Sequence, residues 1–411
     1  MAPAAQAVSS AHGPLRRLLV QYPVEATVRP AYRRAYAELF GALPHHTELV
    51  VLVAPQVEEI LWDDLVTADR AAVVVRAPSD LRFRVWAQDA CVVVEDETGT
   101  ITLLEPASVD RASDRTTVRL VAEAIGARVQ RTDIDFDGGD VIVTDDVVLL
   151  GRTSRALDEG LLGRPTLQVG PDGPLSGSRT RPLQVGGADR TEILAGGGPS
   201  PHPLIHLDMF LTPAGRDATG RYRLLVGSPS QADELLGRPP VDPVLDQHLN
   251  GIAAELTAHG FEVVRNPLPL TWGDGRRVVG EQERDVRMWY LASANNGLVQ
   301  IDPCDGDRVW LPSYGHGAWR EMAPIDAANA AIWCGLGFRV HQLGSFHSFA
   351  QRYGALHCIA KDLGPRAPRR NTALPPSVRV LPARRERHHE GMWRCSSVAP
   401  ASNHCGTKWG V

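Results

Sequence analysis

The sequence predicts an α/β fold built from a repeated unit, and three observations carry that reading. A helix, then a glycine, then a β-branched strand recurs at Ala122–Val129, Ala254–Val263 and Ala330–Val340. In each copy the helix is apolar at helical spacing, and Gly126, Gly260 or Gly337 stands where a left-handed C-cap is needed. Between these units lie short apolar runs bounded by turn residues, the texture of strands alternating with helices. Finally, 411 residues with 43% hydrophobic and 22% charged composition suffice for a large globular core.

Taken in order, Leu18–Gln21 is an apolar strand. Ala37–Gly41 leading to Glu48–Val53 is read as a fourth copy of the helix–glycine–strand unit. Further strands are expected at Ala72–Arg76, Cys91–Val94, Val141–Val143, Val147–Leu150, Tyr222–Val226, Gly297–Ile301 and Val309–Pro312. Gly354–Ala360 reads as a short buried strand carrying His357 and Cys358. Residues 171–203 are rich in Gly, Pro, Ser and Arg and are expected to form a long loop. Residues 365–411 are basic and aperiodic, and are expected to form a disordered tail. With residues 1–13 expected to be disordered as well, one domain spans 14–364.

Net charge is −5, too weak to imply nucleic acid. No apolar run approaches the roughly 18 residues that span a bilayer. The N-terminus lacks a signal-peptide pattern, so a cytoplasmic protein is expected. The six cysteines, Cys91, Cys304, Cys334, Cys358, Cys395 and Cys405, include no C-x-x-C pair. Most are therefore read as small buried hydrophobes in a reducing compartment. His388 and His389 lie in the tail and are read as incidental. No metal or cofactor is expected.

Four motifs carry chemistry. Trp86-Ala-Gln-Asp89 places a carboxylate beside an aromatic ring, a means of holding a cation. Asp137-Gly-Gly-Asp140 pairs two carboxylates with glycines that let a ligand approach the backbone. His206 and Asp208, two apart on an expected strand, address one face. Cys358 is a potential nucleophile, whereas the adjacent His357 should face the other way on a strand and is not expected to be its base. Singly, each motif also reads as an ordinary turn or buried residue.

In this order the motifs resemble those of the guanidino-group modifying enzymes, most of all the peptidylarginine and agmatine deiminases. The resemblance covers roughly residues 14–364 and includes Asn296-Gly297 and Leu311–Gly315. It implies the pentein fold, a five-fold pseudosymmetric α/β propeller. It further implies Cys358 as nucleophile, His206 as acid and base, and Asp137 as the residue orienting His206. Asp89 and Asp208 would grip a guanidinium, with Asp140 and Trp86 also contacting substrate. The sequence departs from the family in having Asp137 where many relatives have Glu, and in its reduced glycine run before Cys358. The expected activity is hydrolysis of a guanidine to a ureido group, with arginine in a peptide as first substrate. Free arginine, agmatine, amidino transfer and a non-catalytic binding role are the alternatives.

Overall fold

The run Glu48–Val53 shows how these residues choose their structure. It is too short for a helix, rich in Val and Leu, and buried on both faces. It lies parallel between Arg17–Tyr22 and Ala72–Arg76. The computed structural model describes residues 5–11, 13–107, 112–170, 175, 179–196, 202–279, 282–364 and 376–381.

One three-strand module recurs five times. Two strands pair antiparallel, and a third then runs parallel to the second after a crossover. The first module is Val92–Glu95, Ile101–Glu105 and Arg128–Arg131, with helix Ala112–Ile125 as crossover. The second is Val141–Val143, Val148–Leu150 and Thr166–Gln168. The third is Leu211–Arg216, Tyr222–Ser228 and Glu262–Pro267, with helices Pro229–Leu235 and Pro243–Ala258 between its last two strands. The fourth is Leu298–Gln300, Arg308–Ser313 and Arg339–Ser345, crossed by Ala323–Gly335. The fifth joins distant parts of the chain: Ala360–Asp362 pairs antiparallel with Arg17–Tyr22, which pairs parallel with Glu48–Val53 after helix Pro30–Ala42.

The expected strands are present except at Gly354–Ala360, some with ends shifted by a residue or two. Gly126, Gly260 and Gly337 all have positive φ, as their capping positions require. Gly41 differs, because the helix Pro30–Ala42 continues through it and stops at Leu43.

Several expectations are corrected. Residues 171–203 are not simply a loop: Thr180–Val185 and Ala188–Ile193 form an antiparallel pair, extended by the long hairpin Leu270–Val279 and Gln282–Leu291. Within residues 1–13, Gln6–Ala7 pairs with Val94–Glu95. Within 365–411, Val378–Leu381 adds an antiparallel edge to Ala72–Arg76, and the rest lies outside the described residues, with His388, His389, Cys395 and Cys405. Cys304 and Cys334 are disulfide-bonded rather than plain buried thiols, while Cys91 and Cys358 are free and buried. Gly354–Ala360 is a turn that enters the strand Ala360–Asp362. Among the described residues no helix is long and apolar enough to cross a membrane.

Because Val378 packs on the main apolar cluster, Val378→Asp should lower unfolding free energy by about 1–3 kcal/mol in urea melts. An unchanged midpoint would mean that this edge strand contributes nothing to the fold.

Candidate functional site

Each module's first strand is preceded by a tight segment carrying polar side chains. These are 3₁₀ turns at Gln88–Ala90, Gly138–Asp140 and Leu207–Met209, then Asn295-Asn296-Gly297, and lastly His357-Cys358. Hydrogen bonds link the five segments in a closed cycle. Gln88 Nε2 donates to the Gly138 carbonyl at 3.0 Å, and the Leu207 N–H donates to Asp140 Oδ1 at 3.2 Å. Asn296 Nδ2 donates to the Asp208 carbonyl at 3.2 Å. The His357 N–H donates to the Asn296 carbonyl at 3.0 Å, and the Gln88 N–H to the Cys358 carbonyl at 3.1 Å.

Asn296 sets the position of the thiol. Its Oδ1 accepts the N–H groups of Ala355 and Cys358 at 3.1 and 3.2 Å, and its Nδ2 reaches Cys358 Sγ at 3.1 Å. Asp208 lies on the other side, with Oδ2 3.6 Å from Sγ. The same oxygen is 2.8 Å from His357 Nδ1, which must carry the hydrogen because a carboxylate only accepts. Asp208 is 2% exposed, and its Oδ1 has no hydrogen-bond partner. An acceptor left in that state is costly, so the site is built to receive a donor.

His206 sits between two carboxylates. Its Nε2 is 3.2 Å from Asp137 Oδ2, and its Nδ1 is 3.7 Å from Asp89 Oδ1. Asp89 Oδ1 also accepts the Gly139 N–H at 3.3 Å. A Cβ at Gly139 would come within 2.9 Å of His206 Nδ1, 3.0 Å of Asp89 Oδ1 and 3.2 Å of Asp208 Oδ2. The second glycine of Asp137-Gly-Gly-Asp140 is therefore the floor around which three site side chains gather. Asp89, Asp137 and His206 also bring three potential ligand atoms within 4.8 Å of one another, a spacing suited to a small divalent cation as well.

The structure thus assembles Asp89, Asp137, His206, Asp208 and Cys358. Trp86 borders them: its indole packs against the apolar cluster that includes Cys358, and a Cβ on Gly354 would collide with it. Asp140 is placed differently from the expected substrate contact. It is fully buried, with Oδ2 held by the N–H and hydroxyl of Thr153 at 2.6 and 2.8 Å and Oδ1 by Leu207. Its work is to tie the His206 segment in place. His206 caps the 3₁₀ turn Leu207–Met209 and Asp208 lies within it, so the two do not share a strand face. His357 likewise does not point away from the chemistry, since it shares Asp208 with the thiol. Sequence reasoning assigned no role to Gln88 or Asn296. Their signal was positional, each standing just before the first strand of a module.

Burial drives the Cys358 thiol well above its ordinary pKa, and the charges of Asp208 and Asp89 push it further. The Ala355 N–H and Asn296 oppose the shift. Burial raises Asp140 to about 6, against the pull of His206 and its hydrogen-bond donors. Lys361, on the strand after Cys358, has its pKa lowered by burial and feels the charges of Cys91, Asp362, Asp89 and Asp208. Burial and the neighbouring carboxylates together favour the neutral form of the Cys358 thiol.

No family model and no curated protein matches the sequence. Solved structures do match. C. jejuni agmatine deiminase is 12% identical with a TM-score of 0.54, covering 89% of this chain and 97% of its own. The same enzyme in a cysteine-to-serine form with substrate bound is 11% identical, with the same TM-score and coverage. A provisionally assigned agmatine deiminase is 15% identical with a TM-score of 0.60, covering 88% of this chain and 97% of that one. The chain thus has a mixed α/β fold similar to the pentein fold of these agmatine deiminases.

Gly139→Ala should displace His206 and Asp89 with little effect on folding, since the added methyl meets side-chain ends rather than backbone. A loss of at least about a hundredfold in kcat/KM is expected with the melting temperature nearly unchanged. Full activity would refute the convergence on Gly139. Asn296→Asp replaces the amide donor beside Sγ with a charge. Alkylation of Cys358 against pH, followed by intact mass, should titrate at higher pH in that variant. An identical profile would remove Asn296 from control of the thiol.

Proposed function

We propose that this chain is a cysteine-dependent hydrolase of guanidines, releasing ammonia and leaving a ureido group. The observation that carries the reading is the buried Asp208 carboxylate, with one oxygen 3.6 Å from a buried thiol and the other without a donor. A guanidinium is planar, permanently charged and rich in N–H donors, so it supplies both the missing hydrogen bonds and the missing positive charge. The pentein fold supports the same chemistry by analogy. We also infer that the five modules close as a pseudosymmetric propeller over residues 14–364, consistent with the cycle of hydrogen bonds at its centre.

In this mechanism Asp208 and Asp89 hold the guanidinium through charge-assisted hydrogen bonds. The arriving cation offsets the charges that favour the neutral thiol, and Cys358 ionises with substrate in place, its proton passing to His206, which becomes the imidazolium that serves the leaving group. Sγ then bonds to the guanidinium carbon. The carbon–nitrogen bond breaks, and His206 delivers a proton to the departing ammonia. His206 next takes a proton from water, which adds to the same carbon, and the C–S bond breaks. Asp137, 3.2 Å from His206, orients the imidazole and stabilises its protonated form. His357 fixes the carboxylate of Asp208.

Arginine within a peptide is the first substrate reading. Agmatine is the second, favoured by the likeness to agmatine deiminases. Transfer of the amidino group to an amine would use the same intermediate. Incubation with arginine, agmatine and arginine peptides, read by mass spectrometry and ammonia release, tests the proposal. Cys358→Ala should abolish turnover and keep binding. A Cys358→Ala protein that still turns over, or a wild type that neither binds nor converts any guanidine, would sink it.

Two quantitative expectations follow from the electrostatics. Asp208→Asn and Asp89→Asn each keep shape and lose charge, and should cost about 3 kcal/mol, or about a hundredfold in kcat/KM. Retained activity in both would show that the clamp lies elsewhere. Alkylation of Cys358 by a neutral reagent should be slow at neutral pH and accelerate as pH rises through the raised thiol pKa. If the reagent is first mixed with Cys91→Ala protein and an unreactive guanidinium that leaves the thiol accessible, that profile should move to lower pH. A profile indifferent to the guanidinium would exclude ionisation assisted by substrate.

A further inference from the structure

Asn296 positions Cys358, and its neighbour Asn295 ties the same segment to side chains that the chemistry above does not use. The amides of Asn295 and Asn266 face each other. Asn295 Nδ2 donates to Asn266 Oδ1 at 3.0 Å, and Asn266 Nδ2 donates to Asn295 Oδ1 at 3.1 Å. Asn266 Nδ2 also donates to Asn329 Oδ1 at 2.8 Å. Asn329 Nδ2 donates in turn to the carbonyls of Pro267 and Ile325, at 3.0 and 3.1 Å. All three residues are buried, as is Asn296. Asn266 lies on the strand Glu262–Pro267 of the third module, and Asn329 on the helix Ala323–Gly335 of the fourth.

That helix reaches the same segment by a second route. Asp326, in its first turn, accepts the N–H groups of Tyr314 and Gly315 at 2.9 and 2.7 Å. The Tyr314 hydroxyl donates to the Ser293 carbonyl at 3.1 Å, and Ser293 Oγ accepts the Asn295 N–H at 3.1 Å. Thr212 holds the Asn295 carbonyl at 2.6 Å. The two hydrogens of Asn266 Nδ2 each have an acceptor, so Asn329 fixes the orientation of the Asn266 amide and Asn266 fixes that of Asn295. One peptide bond then joins Asn295 to Asn296, whose Nδ2 reaches Cys358 Sγ at 3.1 Å. A contact of that length tolerates little displacement.

We propose that Asn329 and Asn266 are positioning residues for Cys358, acting through Asn295 on the side-chain amide of Asn296. The proposal deepens the hydrolase reading: its catalytic consequence rests on that reading, and its effect on the thiol does not. A purely structural network makes the opposite prediction. Its loss would loosen the site and let reagents reach buried thiols faster. Loss of a positioning network instead withdraws the Asn296 donor that favours the thiolate, and Cys358 reacts more slowly.

The test follows alkylation of Cys358 by a neutral reagent across pH, read by intact mass and peptide mapping. Cys91, also free and buried, is the internal control. Wild type, Asn329→Ala, Asn296→Ala and the double variant are compared. Asn329→Ala should slow labelling of Cys358 by at least about threefold at mildly alkaline pH and leave Cys91 unchanged. In the Asn296→Ala background it should add nothing, because the route runs through Asn296. Unchanged or faster labelling of Cys358, or an equal further slowing in that background, overturns the proposal. If Asn329→Ala does not fold, Asn329→Ser carries the same comparison, since its hydroxyl falls one bond short of Asn266. Labelling needs no turnover, so it decides the proposal even where the wild type converts no guanidine and the hydrolase reading fails. Where a guanidine is converted, Asn329→Ala should lower kcat by at least about threefold with KM near the wild-type value. A raised KM with kcat unchanged would count against positioning and overturn it.

Discussion

The structure depends on a cycle of hydrogen bonds that joins five chain segments far apart in sequence. Gln88, Asp140, Asn296 and the backbone around Cys358 make its links. Each link satisfies a buried polar group that would otherwise be stranded. The side chains that make the site are therefore mounted on segments whose positions are mutually determined. Such mounting fixes donors and acceptors before a ligand arrives, which is the condition for electrostatic catalysis. Asn296 has the largest share of this work, because one amide sets the Cys358 N–H, its Sγ and the Asp208 carbonyl together.

Within that frame the dominant force is buried negative charge. Asp208 is almost wholly buried and lies against a thiol that its charge helps to keep neutral. Lys361 offers partial compensation, but it too is buried, which lowers its own tendency to be charged. Such buried like charge is costly to hold. The same imbalance favours the neutral form of the Cys358 thiol.

Much of this was legible in the sequence where local chemistry and tertiary structure agree. Gly126, Gly260 and Gly337 announce helix ends, and the short runs after them, Arg128–Arg131, Glu262–Pro267 and Arg339–Ser345, are strands. The motifs around Asp89, Asp137, His206 and Cys358 came together because short turns hold them at the mouths of those strands. What was not legible has a common cause. The hairpin strands Thr180–Val185, Ala188–Ile193 and Leu270–Val279 are polar and largely exposed, so they show little apolar alternation. His206-Leu-Asp208 has a spacing that a strand and a 3₁₀ turn both allow, and burial chose the turn. Asp140 resembles Asp137 in sequence, and only its pairing with Thr153 and Leu207 separates a structural carboxylate from one beside His206. Asn296 carries no charge, and its importance exists only in three dimensions.

The pairing of Ala360–Asp362 with Leu18–Val20 has a consequence for how the protein comes into being. The strand that follows Cys358 is synthesised long after the partner it pairs with. While the chain emerges from the ribosome, Arg17–Tyr22 waits with one edge unpaired, and the carboxylates face no thiol. Such an edge is open to wrong partners, which makes the nascent chain a natural client for chaperones. The fifth module forms only when these two distant segments meet. A chain halted before residue 358 would carry Asp89, Asp137, His206 and Asp208 without Cys358.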